Sequence, residues 1–389
     1  LLLFCKKEVL LFLKTIFIIA GEASGDVLGG RLMVALQQQS PDLAFSGIGG
    51  PRMAAAGLTS QFPMQELAVM GLAEILPRII PLRRRIHETI AAIAASRPDI
   101  VVTIDSPGFC LRVLKGISTL GIKRVHYVAP QVWAWRQSRV KKYPGLWDEL
   151  LCLLPFEPDF FAKFGLNPKF VGHPVLESGA GAGDAGRFFA THKILRTATP
   201  VILLPGSRVT ETSRLMPIFR ETIARLQFTI PNLVPVLAAA PGIADAITAQ
   251  AADWPVEPII VRDEAARYDA FAAASAALTK SGTSTLELAM AGVPMAVTYR
   301  VNPISAAIGR RVIKVKYVAM INLLAERELV PELLQQHCTP AKLAATLQTL
   351  LTDPAAATAQ RTAFAAALDT LQAPQNTPSS TAATAILSL

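Results

Sequence analysis

Cysteine is scarce in this chain and nowhere paired. Cys5, Cys110, Cys152 and Cys338 stand far apart with no CxxC spacing. That excludes a disulfide framework and reads as reduced thiols in a cytoplasmic protein. Histidine is scarce too, five in all, with no HxxxH or HExxH spacing, so no metal site is expected. Long hydrophobic runs are missing although apolar residues make up 51% of the chain. A spanning helix needs about 18 consecutive apolar residues, and the best stretch, Leu1 to Ala20, is broken by Lys6, Lys7, Glu8 and Lys14. It does not read as a signal peptide, because it runs into Gly21-Glu22-Ala23-Ser24-Gly25-Asp26, a working loop rather than a cleavage site. Residues 1–13, which carry no initiator Met, are read as a tail or an over-extended start without function. Acidic residues are the minority charge: 38 Lys and Arg against 29 Asp and Glu give +9. That balance asks for an anionic partner: nucleic acid, a phosphorylated substrate or an anionic membrane surface. No aromatic-stacking RNA motif is present, which argues against nucleic acid.

What the chain does have is length and a repeating pattern. Its 389 residues suffice for two domains or three. Short apolar runs end in Gly or Pro turns and are followed by amphipathic segments. Thr15–Ala20, Asp99–Ile104, Arg124–Val128 and Glu149–Leu154 read as strands buried on both faces of a parallel sheet. Between them, Ile86, Ile90 and Ile93 mark a helix over 79–96. A second series follows at Val201–Leu204, Val234–Leu237, Ile259–Val261, Ala276–Thr279 and Met295–Thr298. The expected architecture is α/β, two doubly wound domains over 14–177 and 200–338. A Gly-, Ala- and Thr-rich linker that includes a short helix is expected at 178–199, and C-terminal helices at 339–389. Such sheets bind ligands beyond the C-terminal ends of their strands, so two of them imply a cleft.

The chemistry-bearing residues cluster at those strand ends. Gly21, Glu22, Ser24, Gly25 and Asp26 form a strand-to-helix turn where backbone N–H groups can meet a ligand. The plainer alternative is an ordinary turn with Ser24 or Asp26 as helix cap. It is no Walker A loop, and Gly47-Ile48-Gly49-Gly50 is no complete dinucleotide fingerprint. Asp105 ends the run Val101–Ile104, where a carboxylate is either an active-site group or a turn residue before Pro107. Gly206, Ser207 and Arg208 after one strand, and Ser281, Gly282, Thr283 and Glu287 after another, supply N–H donors and a guanidinium suited to a diphosphate. Glu287 could accept from a ribose diol or close a capping box with Thr283 or Ser284. Trp135 and Arg136 follow the strand at Arg124–Val128 as either phosphate contacts or packing. The apolar, loop-like stretch 67–82, with Leu72, Ile75, Leu76 and Ile79, runs into Arg83, Arg84 and Arg85. That is the makeup of an interfacial membrane contact, or of a core helix with a solvated basic end.

Taken together these motifs resemble the lipid-A-disaccharide synthase family of inverting glycosyltransferases. The likeness rests on IAGEASGD (19–26), GIGGPRM (47–53), ELAVMGLAEIL (66–76), HYVAPQVWAWRQSRV (126–140), LLPFEPDFF (153–161), FVGHPV (170–175), LLPGSR (203–208), SGTSTLE (281–287) and 315–335. It implies a GT-B fold, two Rossmann-like domains facing across a cleft, with C-terminal helices crossing back to the first. It implies transfer from UDP-2,3-diacylglucosamine to 2,3-diacylglucosamine 1-phosphate, giving the β-1′,6 disaccharide 1-phosphate and UDP without a cofactor. The enzyme would be cytoplasmic and peripheral on the inner membrane; a homodimer is left open. The resemblance makes Asp105 the general base and puts Arg208, the Ser281–Glu287 turn and Asn322 on the UDP side. One departure is Gly108, where some relatives carry a second acidic residue. The competing readings are another GT-B UDP-sugar enzyme (a glycolipid or peptidoglycan transferase, or an epimerase) and a non-catalytic nucleotide- or lipid-binding module.

Overall fold

Strands dominate the organisation of the chain, as its buried β-branched runs require. A computed structural model describes residues 14–67, 72–135, 137–240, 242–373 and 376–389. The chain divides into two units: residues 1–133, 137–174 and 373–389, and residues 134–136 and 175–372.

The first unit holds β1 (Thr15–Ala20), β2 (Ala44–Ile48), β3 (Ile100–Ile104), β4 (Lys123–Tyr127), β5 (Glu149–Cys152) and β6 (Pro168–Phe170). They form one parallel sheet in the order β2-β1-β3-β4-β5-β6. β1 and β3 are completely sequestered apart from Thr15, which is why both read as unbroken apolar runs. Ile16, Ile18, Ile100, Val102 and Ile104 share one core with Leu32 and Leu36 of helix Ala23–Gln39 and Ala382 and Ile386 of helix Pro378–Leu387. Helix Pro107–Gly116 packs on helix Leu72–Ser96. Gly116 is required there, since a Cβ would lie 2.2 Å from Ile90 Cδ1.

The second unit holds β7 (Thr199–Leu204), β8 (Leu233–Ala238), β9 (Ile259–Val261), β10 (Ala276–Lys280), β11 (Met295–Tyr299) and β12 (Glu332–Leu334). Their order is β12-β11-β10-β7-β8-β9, again all parallel. Counted from β7, this is the Rossmann order. Its core joins Leu203, Leu237 and Leu278 to Phe219 and Ile223 of helix Val209–Leu226 and Leu343 and Leu347 of helix Pro340–Thr352. In each sheet the order reverses once, between β1 and β3 and between β7 and β10. In open α/β sheets that is where ligands sit.

Three expectations need correction. The segment 178–199 is no linker but belongs to the second unit; the short helix expected within it is Ala185–His192. Its anchor is polar, so composition hides it. Buried Asp269 accepts from Asp184 N at 2.8 Å and pairs with Arg187. The helices Pro340–Thr352 and Pro354–Asp369 also stay in the second unit; only Pro378–Leu387 belongs to the first. The helix expected from 79 begins at Leu72 and runs through Pro77 and Pro81, although each proline removes a backbone donor. Residues 1–13 lie outside the described ones.

Candidate active site

In the first unit the turns after β1 and β3 touch. Asp105 and Ser106 follow β3 with φ of 49° and 44°. Two successive left-handed non-glycine residues cost of order 1–3 kcal/mol each. Three hydrogen bonds hold them: Asp105 N–H donates to Tyr127 O at 2.9 Å, and Phe109 and Cys110 N–H both donate to Ser106 O at 3.0 Å. Gly21 presses on this turn so closely that a Cβ would come within 2.5 Å of Ser106 Oγ. The Asp105 carboxyl is half-buried, and burial lifts it above its ordinary pKa against a weaker opposing hydrogen bond from the Ser106 backbone. A carboxyl made more basic in this way suits a base. At Gly108 a Cβ would meet nothing within 4 Å, so the missing second carboxylate of some relatives leaves open space.

The first loop contributes less than expected. Glu22 is the N-cap residue of helix Ala23–Gln39 and is half-buried, Ser24 is exposed and Gly25 is buried near Ile104. Asp26 is not available to a ligand. It is buried, and its carboxylate accepts from Gly50 N at 2.8 Å, Arg52 N at 3.0 Å and Met53 N at 3.0 Å. It therefore caps the helix Pro51–Ala55 rather than its own.

In the second unit, the turns after β7 and β10 meet through a residue that motif reading missed. Glu211 is buried. Its carboxylate accepts from Ser207 N at 3.1 Å and from Lys280 Nζ at 2.8 Å, and lies 3.7 Å from Arg208 Nη1. Gly206, at φ 124°, is needed because a Cβ would stand 2.5 Å from Glu211 Oε2. A signal was present: Glu211 sits three residues into a helix whose N-cap is Arg208, where a glutamate reaches back to free N–H groups. Ser281 Oγ donates to Val318 O at 2.6 Å, and Thr283 is exposed. Thr283, the N-cap of helix Ser284–Met290, makes no side-chain cap bond, and Glu287 has other partners. It accepts from Arg267 Nη2 and Tyr268 Oη, both at 3.2 Å.

Asn322 is fully buried, and its amide is committed to the fold. Nδ2 donates to Val330 O at 2.8 Å and Glu332 Oε1 at 2.9 Å, while Oδ1 accepts from Leu329 N at 2.8 Å and Val330 N at 2.9 Å. An amide offers two donors and two lone pairs, so this network occupies all four. Glu332 in turn accepts from Val318 N and Ala319 N, on the segment that receives the Ser281 hydroxyl. Asn322 thus braces the segment that receives the Ser281 hydroxyl, with no amide group left over for the ligand contact that the resemblance implied.

The remaining candidates separate. Trp135 is exposed; its backbone pairs with Ile313, and Lys314 N–H donates to Ala134 O at 2.9 Å. Arg136 lies outside the described residues, and so do the side chains of Leu72, Ile75, Leu76 and Ile79. Ile80 on the same helix is 81% exposed. Arg83 and Arg84 are exposed, and Arg84 pairs with Glu88. Arg85 is a packing residue: it holds Glu66 and Glu88 at 2.7 Å and lies over the Phe62 ring. Among the described residues, no helix is long and apolar enough to cross a membrane and no three His, Cys, Asp or Glu are grouped as for a metal ion.

Comparison with known proteins bears on family and fold. The family profile described as Lipid-A-disaccharide synthetase matches residues 16–386. The lipid-A-disaccharide synthase of Gluconobacter oxydans is 59% identical over 97% of this chain and 91% of its own. That of Granulibacter bethesdensis is 56% identical over 96% and 98%. In fold, the chain is similar to UDP-GlcNAc 2-epimerase from Neisseria meningitidis bound to UDP-GlcNAc, with TM-score 0.63 at 10% identity over 92% of this chain and 99% of that one. It is also similar to MurG of Acinetobacter baumannii, with TM-score 0.51 at 17% identity over 92% and 99%. With two Rossmann-like units of the GT-B class and a family match along nearly its whole length, the chain belongs to the lipid-A-disaccharide synthase family of glycosyltransferases.

Proposed function

We propose that the second unit binds UDP-2,3-diacylglucosamine through its nucleotide, and that Asp105 activates the 6-hydroxyl of 2,3-diacylglucosamine 1-phosphate. The observation that carries this is the position of Asp105: a carboxyl made more basic by burial, on a turn held beside the β1/β3 reversal. The hydroxyl oxygen attacks C1 of the donor sugar and its proton passes to Asp105. The bond from C1 to the diphosphate breaks with inversion, and UDP leaves. The leaving diphosphate gains charge; in this reading Arg208 and the backbone N–H groups of Gly282 and Thr283 meet it, because the Ser207 N–H and the Ser281 hydroxyl are already taken by Glu211 and Val318 O. The test is release of UDP when purified protein meets both diacylglucosamine substrates. Release from UDP-N-acetylglucosamine instead would favour another UDP-sugar enzyme, and binding without turnover a non-catalytic module.

Two expectations follow from the same reading. Arg208→Ala should weaken UDP binding by about 1.5–3 kcal/mol, the range for a hydrogen bond to a charged group. Titration calorimetry checks this, and unchanged affinity would remove Arg208 from the site. The chain is also proposed to work at the cytoplasmic face of the inner membrane, through the helix that carries Ile80, Arg83 and Arg84. Each basic residue near an anionic surface contributes about 1 kcal/mol, screened by salt. Arg83→Ser with Arg84→Ser should weaken sedimentation with anionic vesicles while leaving the fold intact. Arg85 is excluded from this test because its ion pairs with Glu66 and Glu88 belong to the fold.

A further inference from the structure

Lys280 is the last residue of β10, the central strand that adjoins β7 at the order reversal. Its ammonium crosses that boundary to reach Glu211, whose carboxylate lies under the Gly206–Ser207 turn. The Lys280 side chain is 20% exposed, that of Glu211 only 8%. One buried carboxylate therefore serves two cations, Lys280 at 2.8 Å and Arg208 at 3.7 Å, besides the Ser207 N–H. Lys280, Arg208 and Glu211 thus stand together at the C-terminal ends of β7 and β10.

We propose that Lys280 is a diphosphate-binding residue of the donor site, held ready by Glu211 until the nucleotide arrives. The proposal rests on the UDP reading above and deepens it by naming a further cation and its resting partner. On binding, the ammonium exchanges part of its contact with Glu211 for a diphosphate oxygen. Glu211 keeps the Ser207 N–H and so keeps the turn in shape. Glu211 is then a positioning residue, and Lys280 touches the substrate.

Lys280→Met alone would leave Glu211 with only the more distant Arg208 and the Ser207 N–H, so a disturbed turn would be confused with loss of a ligand contact. The informative comparison is between the full-length Glu211→Gln variant and the double variant Glu211→Gln, Lys280→Met, neither of which contains the ion pair. Calorimetric titration with UDP and with uridine is expected to show the double variant binding UDP tenfold or more weakly than Glu211→Gln, with the two alike towards uridine. Equal UDP affinity in both variants, with melting curves showing both folded, would overturn the assignment and leave Lys280 a mere counterion of Glu211. Equal losses for UDP and uridine would overturn it too, since a diphosphate contact cannot act on a ligand without phosphate. Wild-type protein that fails to bind UDP would overturn the donor-site reading itself.

Discussion

Asp105→Asn is expected to fold, to bind UDP normally and to lose turnover by about 100- to 10,000-fold, the span for loss of a general base. Asparagine is the right replacement because the backbone there has φ 49°. Asn and Asp tolerate the left-handed region far better than alanine, so the turn and the Asp105 N–H to Tyr127 O bond survive. Asp105→Ala would mix loss of the base with loss of the turn. A pH profile separates chemistry from structure. The base works only when ionised, so kcat/KM falls as pH drops through its pKa. Burial raises that pKa, which moves the acid limb up from where a solvated aspartate would put it. In Asp105→Asn the limb should vanish. Near-normal turnover in the folded variant would move the base elsewhere, with Glu22 the next candidate, since Asp26 is occupied by three N–H donors.

Much of this site was legible because central parallel strands write themselves plainly. β1, β3, β7 and β10 are buried apolar runs, and a turn bearing Gly, Ser or Asp at the end of such a run is conspicuous. Topology then did what sequence could not: it showed that these four turns flank the two order reversals. The strands that escaped are β2, β6 and β12, each at a sheet edge. Edge strands are short, half-exposed and carry residues such as Ser46, Lys169 and Glu332, so neither an apolar run nor clean alternation marks them. The link between Glu211 and Lys280 was hidden for another reason. The two lie 69 positions apart and meet only when β7 and β10 become neighbours. Asp26 shows the converse. Its loop looked like a ligand site, but the partner that consumes it, the helix Pro51–Ala55, was not visible as a partner in sequence.

Asn322→Ala is expected to lower stability by about 3–5 kcal/mol, because it strips partners from several buried groups at once, each costing roughly 1–3 kcal/mol when unsatisfied. Leu329 N, Val330 N and Val330 O lose their amide partner, and Glu332 loses one donor. The disturbance has a short path to the nucleotide side. Glu332 holds Val318 N and Ala319 N, and Val318 O holds the Ser281 hydroxyl. Activity should therefore fall together with thermal stability, and part of it should return on cooling or when UDP is added in excess, since a ligand that binds only the folded form stabilises it. A direct ligand would behave differently. Losing it would weaken UDP binding while leaving the unfolding midpoint unchanged. A variant with wild-type denaturation and sharply weakened UDP binding would show that the Asn322 amide turns toward the nucleotide, and that the network with Leu329, Val330 and Glu332 is broken in the bound state.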